Sequence, residues 1–142
     1  MDLDALYQDI ILDHYRNPRH YGPIPDADVL VDEENPLCGD HIRLAATVAD
    51  GRIGSIRFDG QGCAISMAST SMMAEALAGV TVDDARRLID RVLAGLRGDA
   101  PLDIDAAGDV AALEGVKRFP MRVKCATLGW HAIAAALRKL AP

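Results

Sequence analysis

Residues 42–63, "IRLAATVADGRIGSIRFDGQGC", decide the fold. Ile42, Leu44, Ala46 and Val48 alternate with polar or small residues as far as Asp50-Gly51, and Ile53, Ile56 and Phe58 follow. A period of two marks a half-buried strand, and two such runs around Asp-Gly predict a hairpin. Directly after Cys63 the period changes. Ala64 to Leu77 lacks β-branched density and predicts a helix that stops near Gly79.

Outward from this unit the chain is mostly helical. Leu3, Leu6, Tyr7, Ile10, Ile11, His14 and Tyr15 recur at helical spacing on one face, and Asn17-Pro18 ends the run. A turn-rich stretch then leads to Val29-Leu30-Val31, which predicts a short strand. Downstream, Thr81 before Asp83 and Asp84 reads as a helix cap with acid in the first turn. That helix carries Ala85, Leu88, Ile89 and Leu93 and breaks at Gly98 to Pro101. Residues 102–119 predict a loop and a short helix around Val110 to Val116, and Trp130, Ile133, Ala134, Leu137 and Leu140 line a last helix. The expected class is α+β: one domain over residues 1–142, with a small three-stranded antiparallel sheet and helices packed on one face.

Composition narrows the function classes. The chain has 142 residues, half of them hydrophobic, and a net charge of −6. No Lys/Arg cluster forms a phosphate-tracking stripe, so nucleic acid is not an expected partner. The segment "MDLDALYQDI" is acidic where a signal peptide needs positive charge. The most apolar stretch, Ala64 to Val80, is interrupted by Ser66, Ser69, Thr70, Ser71 and Glu75, so no membrane span is expected. The chain reads as cytoplasmic, where thiols stay reduced and cysteines lean toward metal binding or catalysis.

Three cysteines carry the chemistry. Cys38 sits in "NPLCGD" before the second strand, Cys63 closes "GQGC", and Cys125 follows "FPMRVK" and is expected to open the last helix. All three fall at junctions between elements, off the apolar period expected of core thiols. Two are expected at helix N-termini, where the helix dipole favours thiolate. Their separations of 25 and 62 residues exclude a zinc finger or ribbon built on CxxC pairs. Spacing leaves two readings open, one shared site or three unrelated thiols. Asp40 either caps a turn or joins Cys38 on one ion. Three thiolates and a carboxylate would close a tetrahedral zinc site, and the same set could hold iron. Gly39, Gly60 and Gly62 either leave room around the sulfurs or serve only their turns.

The motifs "LYQDIILDHYRNPRHYG", "NPLCGD", "GQGCAISMASTSMM" and "RVKCATLGWHAI" together resemble the SufU branch of the IscU/NifU-N-terminal-like family of iron–sulfur cluster assembly proteins. The resemblance runs from about residue 5 to the end of the last helix. It implies that Cys38, Asp40, Cys63 and Cys125 converge at one end of the fold and bind zinc. It further implies that Cys38 accepts persulfide sulfur from a SufS-type cysteine desulfurase, for delivery to downstream iron–sulfur assembly proteins. Lys124 stands where IscU-type scaffolds carry histidine, "FPMRVK" replaces their LPPVK stretch, and the segment of residues 81–119 is longer; all three features look like SufU. Arg122, three residues before Cys125, either holds the free thiolate or persulfide or is an ordinary solvated charge. The main alternative is a scaffold that assembles a [2Fe–2S] cluster on the same four residues, and a purely structural zinc is a further one. A Cys–His hydrolase built on Cys125 and His131 lacks an orienting third group in sequence. His14, His20 and His131 read as surface or satisfied core residues, and His41 points to the face opposite Asp40 if a strand begins there.

Overall fold

The computed structural model of the protein describes residues 3–25, 30–35, 39–102 and 104–141. Helix α1 (Leu3–Arg16) precedes strands β1 (Val31–Asn35), β2 (Asp40–Ala49) and β3 (Arg52–Gln61). Then come α2 (Ala64–Leu77), α3 (Val82–Leu96), a 3₁₀ segment (Asp105–Arg118) and the long α4 (Pro120–Leu140). The three strands form one antiparallel sheet in the order β1-β2-β3. Helix α4 lies against β1 and β2 and packs on α2, while α1 packs on α2 and the 3₁₀ segment.

The hairpin forms where the alternation places it. Asp50 and Gly51 both have positive φ, 55° and 73°, as a two-residue type I′ turn requires. Ile42, Leu44 and Ala46 of β2 and Ile53, Ile56 and Phe58 of β3 are buried toward the helices. Ile53 and Ile56 are three apart and still share a face because the register slips between Ala46 and Val48. The extra residue in β3 re-aims the strand, and Thr47 Oγ1 accepts the Ser55 N–H there at 2.9 Å.

Two boundaries differ from the sequence reading. The first strand runs Val31–Asn35 rather than Val29 to Val31; Val29 lies outside the described residues. This edge strand buries only Val31 and Asn35 and exposes Asp32 and Glu34, so its charges hid it from an apolar pattern while suiting an edge. Residues 105–118 form a 3₁₀ run rather than a loop with a short helix, broken at Gly108 with φ 58°. The Thr81 cap stands as read: its hydroxyl accepts the Asp84 N–H at 3.2 Å.

Across the sheet, Arg43 and Asp59 are directly paired in register and joined by two hydrogen bonds of 2.8 and 2.7 Å. The Arg43 guanidinium holds the Asp59 carboxyl below its ordinary range. Because the folded value is depressed, the contribution is present above the unfolded carboxylate range and is lost as pH falls through the folded value. Asp59→Asn is therefore expected to lower stability by about 1 kcal/mol at neutral pH. Urea melts should show the gap to wild type closing below about pH 4.

Candidate metal centre

The end of the sheet nearest the start of α2 gathers the sulfur and carboxylate chemistry. Asp40 opens β2 and is 3% exposed. Cys63 occupies the N-cap position of α2 with extended backbone, and Cys125 lies within α4, 5% exposed. One ligand atom from each of the three lies within 4.8 Å of the others. Cys38 lies outside the described residues. Next to it, the Gly39 N–H donates to Asn35 O at 2.9 Å, and Asn35 pairs with Asp40 between β1 and β2.

Asp40 has its two oxygens in different duties. Oδ1 accepts the Cys63 backbone N–H at 3.0 Å, and Oδ2 lies 3.7 Å from Cys63 Sγ. Tetrahedral zinc with about 2.3 Å to sulfur and 2.0 Å to oxygen sets ligand atoms about 3.5 Å apart. The Asp40–Cys63 pair already stands near that separation, so the residues present fit zinc. Gly62 makes the approach feasible: a Cβ there would meet Ser66 Oγ at 2.2 Å and Asp40 Oδ1 at 3.1 Å. Gly60 serves the sheet instead, since its Cβ would fall 2.0 Å from His41 O.

One expectation is corrected. Cys125 does not open its helix, because α4 starts at Pro120 behind Phe119 as N-cap. Proline is favoured in the first turn, where its missing N–H goes unused. Cys125 therefore sits on a buried helical face, with Sγ 3.6 Å from Met121 O, and the helix N-terminus belongs to Cys63 alone among the two described thiols. Arg122 is exposed one turn before Cys125. His41 is on the opposite face from Asp40 and pairs with Asp32, and His131 is exposed.

The sequence reading missed the buried hydroxyls of α2. Ser66, Ser69, Thr70 and Ser71 are all 0% exposed and partnered. Ser69 Oγ donates to Ala126 O at 2.6 Å and accepts the Trp130 indole N–H at 3.1 Å, joining α2 to the turn of α4 just past Cys125. Ser71 Oγ accepts the Arg19 N–H at 2.8 Å and meets His14 Nδ1 at 2.8 Å, while His14 Nε2 meets Asp109 Oδ2 at 2.8 Å. His14 thus clasps α1 to α2 and to the 3₁₀ segment. Glu75 lies beside this clasp but is engaged by Arg19 at 3.4 Å. Four hydroxyls in a helix whose only other polar side chain is Glu75 were the signal, because buried polar atoms need partners.

Known proteins carry the same arrangement of elements. The family model described as NifU-like N terminal domain matches residues 6–140. The zinc-dependent sulfurtransferase SufU of Bacillus subtilis (strain 168) is 41% identical over 141 residues, covering 97% of this chain and 93% of its own. The iron-sulfur cluster assembly scaffold protein IscU of Streptococcus pyogenes serotype M1 is 36% identical, covering 98% of this chain and 87% of its own. A solved structure of a putative iron-sulfur cluster assembly scaffold protein for the SUF system, from Fervidobacterium islandicum AW-1, superposes with a TM-score of 0.83 at 31% identity, over 96% of this chain and 99% of that one. With the match spanning nearly all of the fold, and the Asp40–Cys63–Cys125 cluster at its end, the chain belongs to the NifU-like N-terminal domain family.

Proposed function

We propose that the chain is a zinc-dependent sulfurtransferase that accepts sulfur on Cys38 from a cysteine desulfurase and serves iron–sulfur cluster assembly. The observation that carries the reading is the convergence of Asp40, Cys63 and Cys125 from three separate elements. The 41% identity to a zinc-dependent sulfurtransferase supports it. Cys38, Asp40, Cys63 and Cys125 would hold the metal, which when bound keeps thiols deprotonated at neutral pH. The Cys63 N–H fixes the Asp40 carboxylate, leaving its second oxygen toward the sulfurs. The Cys38 thiolate attacks the terminal sulfur of the desulfurase persulfide. A new S–S bond forms on Cys38, the donor S–S bond breaks, and the donor cysteine leaves as thiolate with no net oxidation. Arg122, exposed one turn from Cys125, is assigned to hold the resulting persulfide. Among the described residues no helix is long and apolar enough to cross a membrane.

The test is alanine release by the same organism's desulfurase, with zinc-loaded and zinc-stripped protein. The expected result is stimulation that requires zinc and is lost in Cys38→Ala, while circular dichroism shows that variant folded. An unfolded Cys38→Ala would point to a structural zinc. Absence of stimulation by either form would overturn the reading. It would favour the second one, a [2Fe–2S] scaffold, which the IscU relatives support and the exposed Lys124, in the position of a family histidine, opposes.

A further inference from the structure

All acidic side chains of this acidic chain lie at or before Glu114. Residues 115–142 carry six cations, Lys117, Arg118, Arg122, Lys124, Arg138 and Lys139, and no acidic side chain. Four of the six fall between residues 117 and 124, where the 3₁₀ segment gives way to the first turn of α4. That turn adds the partial positive charge of a helix N-terminus. The same stretch exposes two large apolar side chains, Phe119 at 52% and Met121 at 53%.

Between these residues and α1 lies a hollow of about 230 Å³. Tyr7, Ile65, Val116 and Phe119 supply apolar walls, and Arg118 and Arg122 stand at it as cations. Among the described residues Arg118 donates only to Gly115 O, at 3.4 Å, and it lies 6.0 Å from the Phe119 ring. Among the described residues no carboxylate pairs with Arg118 or Arg122. The hollow is smaller than the roughly 300–1,000 Å³ of small-molecule sites, and its size suits one inserted side chain. Exposed aromatic, methionine and arginine side chains together are the composition of a protein interface core. The hollow is also tied to the metal centre at two points: its lining residue Ile65 follows Cys63 by two residues, and its lining residue Arg122 precedes Cys125 by three.

We propose that this hollow seats one apolar side chain of the sulfur-donating desulfurase, with a flanking carboxylate of that protein on Arg118. The assignment rests on the sulfur-acceptor reading above. The charges follow from what the described residues leave unmatched: the Arg118 guanidinium, which has no carboxylate partner among them, and a helix N-terminus call for anions, and the apolar walls call for a hydrophobic anchor. Complementary charge of this kind sets orientation and association rate. A thiol that must meet one sulfur atom needs such a fixed approach.

Isothermal titration of the same organism's desulfurase into the zinc-loaded full-length protein tests the seat. Arg118→Glu and Phe119→Ser are each expected to weaken binding at least about tenfold, with Arg118→Lys nearer wild type. Wild-type binding should weaken as sodium chloride rises from about 0.05 to 0.5 M, and Arg118→Glu should respond less. Zinc content and melting temperature report the fold independently, since both side chains are exposed. Binding by both variants at wild-type strength overturns the seat alone. No binding by the wild type overturns the seat and the sulfur-acceptor reading together.

Discussion

Trp130→Ala is expected to lower the unfolding free energy by about 3–5 kcal/mol. Trp130 is fully buried in α4, against the helices and the sheet they cover. Truncation removes the largest buried side chain and opens a cavity between α2 and α4. It also takes the indole N–H from Ser69 Oγ, which is buried and keeps only its bond to Ala126 O. Against a total stability of about 5–15 kcal/mol, this loss alone brings a small domain near unfolding. Trp130→Phe keeps most of the ring volume and is expected to cost about 1–2 kcal/mol, chiefly the hydrogen bond and a smaller void. Urea titration of the zinc-free proteins distinguishes the two. The signal must be circular dichroism, because Trp130 is the only tryptophan and both variants abolish its fluorescence. Equal losses in the two variants would mean that the indole N–H, not the packing, dominates.

Asp40→Ala is expected to reduce zinc affinity by more than about 100-fold, since outer-shell partners alone account for about 10–100-fold. Two losses coincide. The carboxylate oxygen near Cys63 Sγ disappears, and so does the acceptor that fixes the Cys63 N–H. Asp40→Asn keeps a carbonyl oxygen for that N–H, so its zinc-free form should melt close to wild type even though its affinity falls. Competition with a chromophoric chelator measures the affinity, and melting with and without metal measures the linkage. Zinc at a thousandfold excess over its dissociation constant stabilises by about 4 kcal/mol, and a hundredfold weaker site loses about 2.7 kcal/mol of that. A wild-type protein whose melting temperature ignores zinc removal would contradict the site.

Local physics made most of the fold legible. The β2–β3 hairpin was written in a period of two and an Asp-Gly turn, α2 in its lack of β-branched density, and α3 in its apolar spacing and the Thr81 cap. What failed were features that depend on neighbours. The polar edge strand β1 exists because β2 offers a ladder, not because its own residues prefer it. The start of α4 moved upstream because Pro120 is a better first-turn residue than an internal cysteine. The metal centre was legible only in its parts: motif order suggested that the thiols meet, but Cys63 and Cys125 are 62 residues apart and no spacing rule spans that gap. The hydroxyls of α2 signalled buried partners without naming Ala126 or Trp130, and Gly62 read as room without naming Asp40, because each is a contact between elements.

The clasp on His14 has a consequence for how the chain is made. Helix α1 leaves the ribosome before its partners Ser71 and Asp109, which follow His14 by 57 and 95 residues. The hairpin and α2, contiguous in residues 40–77, can close on each other while synthesis continues. The helix can meet α2 once residues 64–77 have emerged, but the clasp stays half-made until Asp109 follows. Its window of exposure to chaperones and proteases is therefore set by translation rate, and slow codons between residues 71 and 109 would lengthen it.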